Sequence, residues 1–358
     1  MKHLTLLTLS LILVACTTED VPPPASTISG GSGSDWLISK LQVFDGGPGK
    51  DGIPALEDPE MAGIGSAGLE YLDDEDLVLV YRSGGEVKAY GHPVLDWHEV
   101  INDKIGKDYV AITYCPLTGT GMGWGREINS EITTFGVSGL LYETNLIPYD
   151  RLTDSNWSQM LNKCVNGTLT GKKPEFFNLI QMNFGALRSI YPNALVTTSN
   201  TGHNRNYNQY PYAQYKNNDS FLFPISTNDK RLHPKELVRG VEVNGSYIAF
   251  TFSQSKNRSV VVREFAGEEI VVFADKTRGI MVSFFSTELN GEKLEFSLMN
   301  TEGTELVLKD QLGNRWDLFG KAKQGPNIGH QLEVPYSYIG YWFSWATFYP
   351  GIELHEVE

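Results

Sequence analysis

The most restrictive feature of this sequence is an internal repeat with a spacing close to 160 residues. Leu77 and Val78 recur as Leu237 and Val238, and the spacing shrinks to 158 at the far end, where Pro192 matches Pro350. Between these points the same register relates 109–113 to 269–273, Gly119 to Gly279, Trp157 to Trp316, and 184–191 to 342–349. A register held over more than a hundred residues predicts two copies of one fold.

Each copy has the pattern of a β-rich unit. Short runs of β-branched and aromatic residues alternate with Gly and Asn pairs, which is typical of strands joined by tight turns. These runs lie at 77–81, 86–90, 109–113, 132–137 and 294–298. Near the end of each copy, apolar residues share one helical face at 184–191 and 342–349, and a proline follows each stretch.

These patterns predict a mainly β (α+β) fold. We expect two homologous β-rich repeats, each covered by a C-terminal helix and related to the other by pseudo-twofold symmetry. A further short helix is predicted at 96–102 in the first copy only.

The N-terminus has the layout of a bacterial lipoprotein signal peptide. A basic start is followed by an apolar run at 4–14 and by Ala15 and Cys16. The run is too short to span a membrane, which takes about 20 apolar residues. We expect a signal peptide over 1–16, cleaved before Cys16, and a lipid on Cys16. The alternative is an ordinary signal peptide with a chance cysteine.

The rest of the chain divides by composition. Residues 17–34 are rich in Thr, Pro, Gly and Ser, which predicts a flexible tether. We expect an N-terminal repeat at 35–200, a Tyr- and Asn-rich connection at 201–235, and a C-terminal repeat at 236–358. Thr18 replaces the Asp that commonly retains lipoproteins at the inner membrane, so we expect the outer membrane of the cell envelope, on its periplasmic or surface side.

The charge of the chain limits its partners. The net charge is −14 and the isoelectric point is about 5.0. Nucleic acid is therefore not an expected partner, because its binding depends on Lys and Arg at phosphates. A small molecule or another envelope component is the expected partner, and the lipid on Cys16 is the expected contact with the membrane.

The two copies differ in their polar residues. The first copy has Cys115 at the end of a buried strand where the second has Asp275, and it alone carries Trp97, His98 and Glu99. Because one copy of a duplicated fold often keeps the chemistry, these differences place the candidate site in the first repeat.

Several of these segments resemble a known bacterial family, domain of unknown function 3179. The resemblance covers about residues 45–358 and rests on the segments 51–56, 95–103, 113–117, 135–141, 149–151, 157–159, 211–212 and 342–346. It implies no particular activity. Members often have a second cysteine three residues after the first, and Thr118 stands there in this chain, so a Cys-x-x-Cys redox pair or two-thiolate metal site is not expected.

Two hypotheses give Cys115 a chemical role. Cys115 and His98, with His92 or His203, could bind copper or zinc, since thiolate and imidazole suit these metals. Alternatively, Cys115 could be a nucleophile that His98 activates. Asp96 or Glu99 would then orient the imidazole. A disulfide between Cys115 and Cys164 is a further alternative in an oxidising compartment.

The hypothesis we favour is ligand or partner binding without catalysis. A cleft of the first repeat could stack a flat ligand on aromatic residues and hold an anionic group through an arginine. The candidate ligand-binding residues are Trp97, His98, Cys115, Arg126, Arg151, Trp157, Arg205 and Tyr207. No cofactor is required by the sequence.

Overall fold

The computed structural model describes residues 26–27, 36–299 and 303–355. Strands account for 43% of the structure and helical residues for 9%, so the prediction of a mainly β fold is confirmed. The expected signal peptide and the lipidation residue Cys16 lie outside the described residues. So does the expected tether at 17–34, apart from Ser26–Thr27, which pairs with Phe44 and Asp45.

Eighteen strands precede residue 200 among the residues that the structure describes. They are β1 Ser26–Thr27, β2 Val43–Asp45, β3 Leu56–Glu57, β4 Met61–Gly63, β5 Leu77–Ser83, β6 Glu86–Gly91, β7 Val100–Ile105, β8 Asp108–Cys115, β9 Thr120–Gly125, β10 Glu127–Ile128, β11 Glu131–Ile132, β12 Phe135–Tyr142, β13 Asn145–Asp150, β14 Asn156–Ser158, β15 Lys163–Asn166, β16 Phe176–Phe177, β17 Ile180–Asn183 and β18 Leu195–Thr197.

Thirteen described strands follow residue 236. They are β19 Leu237–Val243, β20 Ser246–Thr251, β21 Arg258–Phe265, β22 Glu268–Asp275, β23 Ile280–Phe285, β24 Glu288–Leu289, β25 Glu292–Lys293, β26 Phe296–Leu298, β27 Leu306–Asp310, β28 Arg315–Asp317, β29 Ala322–Gln324, β30 Ser337–Tyr341 and β31 Glu353–Leu354.

Three α-helices are present among the described residues: α1 His92–His98, α2 Phe184–Ile190 and α3 Trp342–Phe348. Helices α2 and α3 lie where the apolar stripes predicted helices. Asn183 caps α2 by accepting a hydrogen bond from the backbone N–H of Ala186. None of the described helices is long and apolar enough to cross a membrane.

The two halves of the chain order their strands in the same way. One sheet of the first half runs β17-β5-β6-β18-β4, and one of the second half runs β30-β19-β20-β31. In both, the third and fourth strands are parallel and the other pairs of this run are antiparallel. The orders β7-β8-β9 and β12-β13-β14-β15 likewise have counterparts in β21-β22-β23 and β26-β27-β28-β29.

A buried tryptophan is tied to an aspartate in each half. The indole N–H of Trp157 donates to Asp150 at 2.9 Å, and that of Trp316 donates to Asp310 at 2.9 Å. Both indoles are almost fully buried. Each aspartate thus satisfies an N–H that would otherwise be costly to bury.

The predicted short helix at 96–102 was placed wrongly. Helix α1 begins at His92 and ends at His98, and Val100–Ile105 is strand β7, paired with β8. Pro93 occupies the first turn of the helix, where its missing N–H costs nothing. The apolar residues 100 and 101 therefore belong to a buried strand, not to the helix.

Removing either tryptophan N–H should destabilise the fold. We expect Trp157→Phe and Trp316→Phe each to lower the free energy of unfolding by about 1–3 kcal/mol, because a buried aspartate loses a donor. Urea unfolding followed by circular dichroism measures this. Leu152→Ala, at a side chain that is 40% exposed, serves as the control and should change stability by less than about 0.5 kcal/mol. The role given to the two Trp–Asp pairs would be contradicted if the tryptophan variants lost no more unfolding free energy than Leu152→Ala.

Candidate functional site

Helix α1 is the element that distinguishes the first half from the second. In the second half only residues 252–257 join β20 to β21, without a helix. The chain leaves α1 through Glu99, whose backbone N–H donates to Leu95 at 2.8 Å and whose φ is +59°. This left-handed conformation is rare for glutamate, and such strained residues concentrate at functional sites.

The Glu99 side chain is buried among apolar groups. It is 6% exposed, and its carboxylate accepts a hydrogen bond from the Tyr212 hydroxyl at 3.2 Å. Burial raises the pKa of Glu99 to about 7, although the hydrogen bond from Tyr212 acts in the opposite direction. A strained, buried acid with a perturbed pKa indicates a functional site.

Part of the long connection crosses over α1, and we call residues 205–223 the strap. Tyrosine hydroxyls of the strap donate to the turn after β8: Tyr210 to the carbonyl of Pro116 at 3.3 Å, and Tyr215 to that of Leu117 at 2.9 Å. The indole N–H of Trp97 donates to the carbonyl of Gln209 at 3.0 Å. Side-chain to backbone hydrogen bonds thus fasten a segment that has almost no regular secondary structure.

A cavity of about 310 Å³ lies beneath the strap. Its walls come from the strap, α1, β12 and the segment that follows β2, and they are predominantly apolar. Its lining residues are Gly46, Pro48, Ile53, Asp96, Trp97, Glu99, Leu117, Val137, Gly139, Leu140, Leu141, Arg205, Pro211, Tyr212 and Phe223. Small-molecule sites have this composition and start at about 300 Å³.

Asp96 is a second buried acid in the wall. It is 5% exposed and forms an ion pair with Lys216 of the strap at 2.9 Å. Burial raises the pKa of Asp96 to about 6, against the effect of the Lys216 ammonium. Lys216 also lies 3.9 Å from the centre of the Tyr210 ring. Asp96 is therefore already neutralised by the strap, whereas Glu99 is not.

Of the predicted site residues, the structure brings Trp97 and Arg205 together in the cavity wall. The Arg205 guanidinium lies 5.5 Å from the centre of the Trp97 ring. Arg205 is exposed, and no ion pair of its side chain is found within residues 36–299 and 303–355. This arginine remains available to a ligand.

His98 and Tyr207 do not line the cavity. His98 lies 2.7 Å from the carbonyl of Pro54 through Nδ1 and 2.7 Å from the Tyr207 hydroxyl through Nε2. Since a carbonyl only accepts, Nδ1 carries the proton and Nε2 accepts from Tyr207. Burial lowers the pKa of His98 to about 4. Both ring nitrogens are occupied within the protein.

The metal hypothesis and the nucleophile hypothesis both find no support in the geometry. The thiol of Cys115 is 1% exposed and faces the carbonyl of Thr144 at 3.7 Å, while His98 is engaged elsewhere. Burial raises the pKa of Cys115 to about 11, and the negative charge of Glu99 adds to it. No cluster of three or more His, Cys, Asp or Glu side chains that could hold a metal ion occurs in the described part of the chain.

The disulfide considered as an alternative is also not formed. Cys115 at the end of β8 and Cys164 on β15 are both free and buried. His92 and His203, considered as further metal ligands, pack against other rings. The His92 ring packs on Tyr114 with centroids 4.4 Å apart, and the His203 ring packs on His98 at 5.2 Å.

Three further predicted site residues have structural roles instead. Trp157 is held by Asp150, as described above. Arg126 donates to the carbonyl oxygens of Thr133 at 2.7 Å and Asp103 at 3.1 Å. Arg151 binds two carboxylates, those of Asp51 at 2.9 Å and Glu57 at 2.7 Å. None of these three side chains lines the cavity.

Some cavity residues were not predicted from the sequence as ligand-binding residues. Asp96 and Glu99 were considered as residues that orient a histidine, and Tyr212 as part of the tyrosine-rich connection, but none of the three was named as a ligand-binding residue. One signal was present, since the acids at 96 and 99 stand three residues apart in a segment that the second copy lacks. The apolar wall at Ile53, Leu140 and Leu141 carried no such signal.

The fold and the site define a mainly β protein with an apolar, acid-containing cavity closed by a tyrosine-rich strap. A family model described as protein of unknown function (DUF3179) matches residues 50–352, and the chain belongs to this family. Neither the curated proteins nor the solved structures contain a significant match to the chain.

The raised pKa of Glu99 predicts a dependence of stability on pH. The folded state holds this proton more tightly than the unfolded chain, so the contribution is lost as pH rises from the ordinary value of 4.5 toward 7. We expect Glu99→Gln to reduce the fall in unfolding free energy across this range by up to about 3 kcal/mol. Urea unfolding at several pH values measures it.

The exposed Glu127 offers a matched control for this experiment. Glu127→Gln removes one carboxylate outside the cavity. The unfolding free energy of this variant should depend on pH in the same way as that of the unsubstituted protein. The account of Glu99 is wrong if both variants have the same slope as the unsubstituted protein.

The burial of both thiols predicts that they are inert in the folded protein. In a chain carrying Cys16→Ser, we expect iodoacetamide at pH 7.5 to modify neither Cys115 nor Cys164 within an hour, because the thiolate is the reactive form. Both should be modified in 8 M urea. Mass spectrometry of the intact chain counts the modifications. Rapid labelling of Cys115 before unfolding would contradict its burial.

Proposed function

We propose that this chain is a binding protein that holds a small, largely apolar molecule in the cavity beneath the strap. The observation that carries the proposal is a cavity that combines apolar walls with one uncommitted cation, Arg205, and one strained buried acid, Glu99. In sites of this composition, the apolar walls bury most of the ligand's surface and a few polar groups orient the ligand.

Arg205 is the group that we assign to an anionic part of the ligand. Three arginines were considered from the sequence. Two of them, Arg126 and Arg151, already donate hydrogen bonds to oxygen atoms of the protein. A guanidinium binds a carboxylate through two parallel hydrogen bonds. The adjacent Trp97 ring offers a flat surface for the apolar part.

A larger groove of about 1480 Å³ lies between the two halves, but we do not assign the ligand to it. Its Arg82 is already paired with Glu305 at 3.1 Å and Asp317 at 2.7 Å, and Lys323 also pairs with Glu305 at 3.0 Å. Because these four charged side chains are paired with one another, they are less available to bind a ligand.

We further infer that the two halves are homologous repeats related by pseudo-twofold symmetry. The shared strand order and the two Trp–Asp pairs support this inference. On this view the first repeat acquired or kept helix α1 and the strap, while the second serves as a scaffold. The cavity then belongs to the first repeat.

The expected location remains a proposal from the sequence. A lipid on Cys16 would hold the chain at the bacterial envelope, with the outer membrane favoured over the inner. A binding protein tethered in this way would present its cavity to molecules that diffuse through the envelope.

The proposal is tested with 3-phenylpropanoate, an apolar carboxylate, as the probe. Isothermal titration of the chain carrying Cys16→Ser should give saturable binding, and Arg205→Gln should weaken it about tenfold or more, since one charge-assisted contact is lost. Arg315→Gln, at an exposed arginine of β28, is the matched control and should bind like the unsubstituted chain.

Two results would overturn the proposal. One is the absence of saturable binding of this probe, of phenylalanine and of 2-phenylethylamine. The other is binding that responds to Arg315→Gln as strongly as to Arg205→Gln, since that reflects net charge and not the cavity.

A further inference from the structure

The cavity contains a second polar anchor besides Arg205. Glu99 lies in the wall with a single side-chain hydrogen-bond partner in the described part of the chain, the Tyr212 hydroxyl at 3.2 Å. A buried carboxylate is normally stabilised by two or three donors or by a cation. Within the described residues only one such donor reaches Glu99, so a ligand has room to supply the others.

The neighbouring acid, Asp96, is a buried carboxylate that a cation of the strap stabilises. Asp96 receives the Lys216 ammonium at 2.9 Å, and the same ammonium lies 3.9 Å from the centre of the Tyr210 ring. An ammonium held between a carboxylate and a tyrosine ring is thus already present one helical turn away. Glu99 and Tyr212 provide the same pair of groups, but without a lysine.

The charges in the cavity wall are of opposite sign. Arg205 is exposed and packs on Trp97, whereas Glu99 is buried. The lining between them is apolar, with Ile53, Leu117, Val137, Leu140, Leu141 and Phe223. A ligand that matches this surface has one anionic group, one cationic group and an apolar body.

We propose that the cavity binds a hydrophobic α-amino acid, with its carboxylate on Arg205 and its ammonium on Glu99 and Tyr212. This rests on the proposed function and names the class of its ligand. The ammonium donates to the Glu99 carboxylate and faces the Tyr212 ring, and the side chain fills the apolar part of the cavity.

Three probes of similar size separate the contributions of the two anchors. Phenylalanine has both charged groups, 3-phenylpropanoate lacks the ammonium, and 2-phenylethylamine lacks the carboxylate. At pH 8, where Glu99 is ionised, isothermal titration should show phenylalanine binding at least tenfold more tightly than either of the others.

Substitutions in the chain test which charged group of the ligand contacts Glu99 and which contacts Arg205. Glu99→Gln should remove the advantage of phenylalanine over 3-phenylpropanoate and leave the affinity for 3-phenylpropanoate nearly unchanged. Arg205→Gln should remove its advantage over 2-phenylethylamine. Glu127→Gln is the control and should preserve both differences.

The pH provides a second measurement that needs no substitution. As the pH falls from 8 to 5, Glu99 takes up a proton while the ligand ammonium stays charged, so the advantage of phenylalanine over 3-phenylpropanoate should shrink about tenfold. This comparison remains decisive if Glu99→Gln does not fold.

The outcomes separate this inference from the proposed function. If 3-phenylpropanoate binds with a dependence on Arg205 but phenylalanine binds no more tightly, the proposed function stands and the amino-acid assignment is wrong. If 2-phenylethylamine binds as tightly as phenylalanine, the site accepts amines and the assignment is also wrong. If none of the three probes binds, both proposals fail.

Discussion

The hydrogen bonds between the strap and the surface around helix α1 are the contacts on which the candidate site depends. The strap has almost no regular secondary structure, so its backbone cannot be ordered by a helix or a sheet. Tyr210 and Tyr215 instead donate to carbonyls of the turn after β8, and Lys216 pairs with Asp96. Because buried hydroxyls and charges need partners, these contacts fix the strap over one position of the surface and so enclose the cavity.

The cavity also depends on the way in which helix α1 ends. Glu99 adopts a left-handed conformation, and the next residue begins strand β7. This reversal lets a seven-residue helix sit directly on the sheet that it precedes, with Asp96 and Glu99 both turned toward the strap side. The second half, with its plain link at 252–257, has neither the helix nor the acids.

Much of the fold was predictable because its signals are local. The strand runs and the helices α2 and α3 follow from side-chain alternation and from an apolar face repeating over two turns. Helix α1 was shifted by four residues, because no sequence signal marks a glutamate that will adopt positive φ. Of the predicted site residues, Trp97 and Arg205 line the cavity, whereas Arg126 and Arg151 do not. The partners of Arg151 lie far along the chain, as with Asp51, and such pairs are set by tertiary structure alone.

The central claim is that the space beneath the strap is a ligand site, and a crystal structure of the chain with phenylalanine bound tests it most directly. We expect density for one molecule in the cavity, with its carboxylate within about 3 Å of the Arg205 guanidinium and its nitrogen within about 3 Å of Glu99. Density in the groove between the two halves, with the cavity holding only water, would contradict it.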